Sequence, residues 1–60
     1  MPSRKDRIKH IFKYMEYEAL TDSQHDLIVS FESQFDKKGW LSDRQYEILE
    51  DIFRRAAENY

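Results

Sequence analysis

The sequence predicts an all-α protein, a compact three-helix bundle that contains a short-turn helical hairpin. Helix-start signals stand at Ser3, Thr21 and Ser42, and behind each of them apolar residues recur at helical spacing. One Gly and one Pro in 60 residues leave too little turn chemistry for a β fold. With 15% aromatic residues the chain is also unlike a disordered tail, so it is expected to fold, as a single helical domain over 1–60.

The first helix is predicted over about 3–19. Ser3 with Asp6 makes an imperfect capping box, and Ile8, Ile11, Phe12, Met15 and Ala19 form one apolar face. Arg7, Lys9, His10, Lys13, Tyr14 and Tyr17 fall on the flanks and back of that stripe. The second helix is predicted over about 21–38. Thr21 and Gln24 make a full box, and Leu27, Ile28, Phe31 and Phe35 form the buried stripe. Asp22 and Asp26 at its start and Lys37 and Lys38 at its end suit the helix dipole, and Gly39 stops it as a left-handed residue.

Ser42 opens the third helix, about 42–59, with Gln45 as its box partner and Ile48, Leu49, Ile52, Phe53 and Ala56 as its core face. The connection Gly39-Trp40-Leu41 is short, so helices two and three are expected to be antiparallel neighbours. Trp40 at that corner is expected to plug the open end of the bundle; the other reading makes it an anchor for a partner. The predicted core is Ile8, Ile11, Phe12, Met15, Leu27, Ile28, Phe31, Phe35, Trp40, Leu41, Ile48, Leu49, Ile52, Phe53 and Ala56.

The segment 20–28 repeats at 41–49: Leu, hydroxyl, Asp, any, Gln, any, acid, two aliphatics. Good helix starts converge on these letters, and that explains the match better than duplication, because it fades beyond two turns. The leucine before each cap suits a hydrophobic staple, Leu20 against His25 and Leu41 against Tyr46.

A chain this short buries only about 60% of the surface that its unfolded form exposes. Small scaffolds usually carry a staple, and with no Cys there is neither a disulfide nor a thiolate metal site. His10 and His25 lie near no ligand set for zinc, no EF-hand spacing surrounds the lone Gly39, and no phosphate-cradling glycine loop is present. Neither metal nor cofactor is therefore expected. Idealised helix packing or assembly with a larger partner remains. Absence of Cys suits a reducing, cytoplasmic setting. No apolar run approaches the roughly 18 residues of a membrane span, and the basic start has no apolar segment behind it, so neither a membrane partner nor a secretion signal is expected.

Catalysis has little to stand on. Ser23 and His25 are two residues apart, which on a helix points them about 160° from each other. Acid pairs such as Asp22 and Asp26 read as dipole-compensating surface groups, so no catalytic residue is assigned and the chain is not expected to be an enzyme. Charge is more informative. Residues 1–13 hold five basic residues against one acid, and residues 14–60 hold five against eleven. Such asymmetry points to an anionic partner for the basic end, or to a basic helix packed on an acidic remainder.

Two candidate surfaces follow. Arg4, Lys5, Arg7, Lys9, His10 and Lys13, interleaved with Tyr14 and Tyr17, combine cations that neutralise phosphates with rings that stack on unpaired bases. The first expectation is thus an accessory module binding DNA through its first helix. The alternative is a protein-interaction module or small inhibitor that uses Val29 and the acidic third helix, Asp43, Glu47, Glu50 and Asp51.

Residues 20–57 carry a resemblance. Leu20-Thr21-Asp22-x-Gln24, Phe35-x-x-x-Gly39-Trp40-Leu41-Ser42-Asp43-Arg44-Gln45 and Leu49-x-x-Ile52-Phe53-x-Arg55 resemble a small helical accessory segment of phage replication and repair proteins. The segment is similar in kind to the C-terminal companion of T4-type UvsW helicases. The resemblance implies a phage accessory module that works near DNA in the host cytoplasm, attached to or partnering a helicase or another replication protein. It carries over no catalytic residue and implies no ATPase activity.

Overall fold

The computed structural model describes residues 3–59; Met1, Pro2 and Tyr60, which the predicted domain of 1–60 includes, lie outside the described residues. Its elements are helix α1 (Arg4–Tyr14), a single 3₁₀ turn (Tyr17–Ala19), helix α2 (Asp22–Lys38) and helix α3 (Asp43–Asn59). There is no strand among the described residues. The all-α bundle is therefore the fold, and each expected cap is in place.

Ser3 Oγ accepts from the Asp6 N–H at 3.2 Å and starts α1. At α2, the Gln24 N–H donates to Thr21 Oγ1 at 3.1 Å while the Thr21 N–H donates to Gln24 Oε1 at 3.0 Å. Ser42 and Gln45 make the same reciprocal pair at 3.2 and 2.9 Å. The second box has an extra duty. Gln45 Nε2 also donates to Gln34 Oε1 at 2.7 Å, so the start of α3 is fastened to α2. Gly39 ends α2 in the left-handed region, φ 79°, and its N–H donates to the Phe35 carbonyl at 2.7 Å.

The first helix is shorter than the sequence predicts. It stops at Tyr14, and Met15 is extended with ψ 132°. A helix running to 19 would leave Leu20 alone to reverse the chain before the Thr21 cap. Instead, residues 15–20 form a connector that includes the 3₁₀ turn. Tyr17, Ala19 and Leu20 pack against the core from that connector. The Tyr17 hydroxyl donates to the Phe12 carbonyl at 3.4 Å, one of the carbonyls that the helix end leaves without an intrahelical partner.

Ile8, Ile11, Met15, Ile28, Phe31, Leu41, Leu49, Ile52 and Ala56 are buried, and Phe12, Phe35, Ile48 and Phe53 pack against them. No charged or polar side chain is buried among the described residues. Two expected core residues lie outside. Leu27 is 37% exposed, because it sits about 70° around α2 from the centre of the Ile28, Phe31 and Phe35 stripe at 100° per residue. Trp40 is 58% exposed while Leu41 is buried. The buried seat at the α2–α3 corner is therefore filled by Leu41 and not by Trp40.

Leu49, fully buried on α3, should be the costlier of two leucine truncations. Leu49→Ala is expected to lose about 2–5 kcal/mol, a large part of the roughly 3–9 kcal/mol available to a domain of this size. Leu27→Ala should lose less than about 1.5 kcal/mol, because its side chain gives up little burial. Urea unfolding of the two variants measures the difference, and equal losses would contradict the assigned core.

Candidate nucleic-acid interface

Helix α1 presents its cations in two directions. Arg4 and Arg7 lie along the edge that meets α3. The Arg7 guanidinium forks onto Glu50, with Nε donating to Oε2 at 3.1 Å and an Nη donating to Oε1 at 2.9 Å. Tyr46 adds a third hydrogen bond, its hydroxyl donating to Glu50 Oε2 at 2.8 Å. The Arg7 hydrogen bond holds the Glu50 carboxyl below the usual carboxylate range, against the opposing effect of partial burial. By the same contacts the Tyr46 hydroxyl is pushed up, first by its hydrogen bond to Glu50 and then by burial. Arg4 pairs with Asp43 and lies over the Tyr46 ring, 4.5 Å from its centroid. The reading in which the basic helix packs on the acidic remainder therefore describes these two arginines.

Lys5, Lys9, His10 and Lys13 are exposed, and none of the three lysines has an ion-pair partner among the described residues. Four-residue spacing places those lysines in one row along α1, about 6 Å apart per step. At its far end Tyr14 is 54% exposed. The His10 and Tyr14 rings stand 4.7 Å apart, and Lys13 Nζ lies 5.4 Å from the Tyr14 centroid. His10 also meets the edge of Phe53 at 6.2 Å, which ties the exposed cluster to α3. Tyr17 does not share this face. Its ring is half-buried on the core and meets His25 of α2 at 5.9 Å, and burial pushes its hydroxyl up.

The acidic candidates are divided as well. Asp43 and Glu50 are taken by Arg4 and Arg7, and Asp51 by Arg54 and Arg55, both at 3.1 Å. Glu47 has no ion-pair partner among the described residues, and it lines a hollow of about 510 Å³ with Arg7, Phe53 and Arg54. Val29, 48% exposed, lines a separate hollow of about 460 Å³ on α2 with Glu32, Ser33, Phe35 and Asp36. Sequence periodicity places Val29 off the stripe but cannot say which acids surround it.

Trp40, expected as a plug or as an anchor for a partner, lies outside both candidate surfaces and is exposed. Lys38 Nζ lies 5.6 Å from the Trp40 ring centroid, and a hollow of about 120 Å³ opens between that ring, Arg4 and Lys5. Trp40 and Leu41 both read as core in the sequence, and only Leu41 is buried. Among the described residues no three His, Cys, Asp or Glu side chains cluster as a metal site, and no helix is long and apolar enough to cross a membrane. Comparison with protein families, curated proteins and solved structures finds no match to the chain.

The Glu50 pair makes stability depend on pH with a definite sign. A carboxyl whose folded pKa is lowered stabilises the fold above its unfolded value, near 4.3, and loses that contribution as pH falls through the lower folded value. Arg7 and Glu50 are 40% and 32% exposed, so solvent screening limits the pair to at most about 1 kcal/mol. Glu50→Gln should therefore be less stable than the native chain at about pH 7, with the gap narrowing as pH falls below the usual carboxylate range in urea unfolding. An undiminished gap at low pH would mean that the carboxylate charge is not its source.

Proposed function

We propose that the chain is a non-catalytic accessory module that binds nucleic acid through the solvent face of α1. The supporting observation is the exposed cluster of Lys13, Tyr14 and His10 at the end of a row of lysines without acidic partners among the described residues. Cations in a row neutralise successive phosphates, and an exposed ring offers a base a face to stack on. Arg4 and Arg7 have a different part in this reading. Their pairing with α3 fixes the angle at which α1 presents Lys5, Lys9 and Lys13, so they position the surface. The phage resemblance supplies a setting for it, DNA replication or repair in the host cytoplasm beside a helicase or other replication protein.

A protein-interaction module is the second reading, and one observation favours it. Val29 is exposed on α2 and lines a hollow with Glu32 and Asp36, an apolar and acidic mixture suited to a basic partner. That surface belongs to α2, and the ion pairs already occupy most of the acids on α3.

Fluorescence anisotropy with labelled single-stranded and duplex DNA tests the first reading. Three phosphates neutralised by three lysines give an affinity loss of roughly 20- to 40-fold between 50 and 200 mM salt. Charge reversal of Lys9 and Lys13 to Glu should abolish binding while leaving the helical circular dichroism unchanged. Absence of binding to either DNA at 50 mM salt would overturn the nucleic-acid reading and leave the α2 surface as the better one.

A further inference from the structure

Trp40 is the only tryptophan of the chain, and the fold turns it out. Its position follows from three local facts. Gly39 takes the left-handed conformation that ends α2, Leu41 occupies the inward seat before the Ser42 cap, and the backbone between them leaves Trp40 facing solvent. What surrounds the ring is basic. Lys38 lies over it, and the hollow beside it is bordered by Arg4 and Lys5 and floored by Ile8 and Phe35. Apart from its chain neighbours Lys38 and Trp40, nothing lies within 4 Å of where a Cβ on Gly39 would stand, so no other element crowds the turn that carries the ring.

Lys5 also begins the row that continues through Lys9 to Lys13, about 12 Å away along α1. The row therefore has an exposed aromatic ring at each end, Trp40 beside Lys5 and Tyr14 beside Lys13. Steps of about 6 Å between lysines are close to one nucleotide of an extended strand. Rings stack only on bases whose faces are open, and a continuous duplex keeps those faces covered. We propose that the ligand of this surface is a single-stranded nucleic acid, lying along Lys5, Lys9 and Lys13 with one base stacked on Trp40 at the α2–α3 corner. This rests on the nucleic-acid reading of α1 and adds to it a strand preference and a second stacking site.

The test uses the full chain and its intrinsic tryptophan fluorescence. An oligothymidylate of about 12 nucleotides, within the usual range of single-strand site sizes, is titrated beside a blunt-ended duplex of the same length. The oligothymidylate should quench Trp40 emission at saturation and bind more tightly than the duplex. Trp40→Ala should weaken single-strand binding about 5- to 100-fold and leave duplex binding within about twofold, while Trp40→Phe retains most of the affinity. The native-chain quench needs no substitution, so a poorly folded variant does not blunt the test.

Emission unchanged by a saturating oligonucleotide, or Trp40→Ala binding it as tightly as the native chain, would overturn the Trp40 site. If the Lys9 and Lys13 reversals still abolish binding in that case, the α1 reading stands without it. No binding of either probe at 50 mM salt would overturn both. A shift in Trp40 emission with protein concentration alone would assign the hollow to a second copy of the chain and likewise overturn the proposal.

Discussion

The aliphatic face of α3 is the surface on which the rest of the molecule is built. α1, the 3₁₀ turn and α2 each pack on that helix, and its Leu49, Ile52 and Ala56 lie in the buried cluster with residues of both other helices. A chain without disulfides, whose described residues hold no metal cluster, has burial and hydrogen bonding as its means of closure. Everything else depends on how α3 is held. Its start is fastened to α2 through Gln45 and Gln34, and its outer edge to α1 through Arg7 and Glu50. Neither contact contributes much free energy beside the core, but each fixes an angle between helices that burial alone leaves free.

That edge also separates structural from available charge. Counted along the chain, residues 1–13 look like one basic block. In space the block divides, because Arg7 lies on the side of α1 that meets α3, while Lys9 and Lys13 face away from it. Arginine suits the first position, since its planar fork matches a carboxylate bidentately and tolerates partial burial. Lysine suits the second, as a hydrated point charge that stays in solvent. The residue types thus follow the division: both arginines of α1 are paired, and its three lysines are not among the described ion pairs.

Local chemistry made much of this readable beforehand. The three caps, the glycine stop and the apolar stripes are determined by neighbours within four residues, and so the helix starts, the hairpin and most of the core are legible from the sequence. The end of α1 and the place of Leu27 depend on more distant geometry. Nothing near Tyr14 spells a stop, because α1 ends where the chain must turn to reach the Thr21 cap. Leu27 satisfies the helical spacing but sits at the margin of a stripe whose width is set by what packs against it. The candidate site was half legible for the same reason: the helical pattern puts Lys9, Lys13 and Tyr14 off the apolar stripe, whereas the engagement of Arg4 and Arg7 by α3 and of Tyr17 by the core needs the positions of α3 and α2.

Trp40 is where stability and surface chemistry conflict. A 60-residue chain has little apolar surface to spare, and tryptophan offers more burial than any other side chain it has. Seating Trp40 inward and Leu41 outward would have enlarged the core contact at the corner, yet the capped starts and the Gly39 turn present the opposite register. Exposed apolar residues scattered singly are ordinary, but this one stands beside Lys38 and lines a hollow with Lys5. Arg4 at this hollow is held by Asp43, so the cations there without an ion-pair partner among the described residues are Lys5 and Lys38, and the proposed single strand would engage them together with the ring.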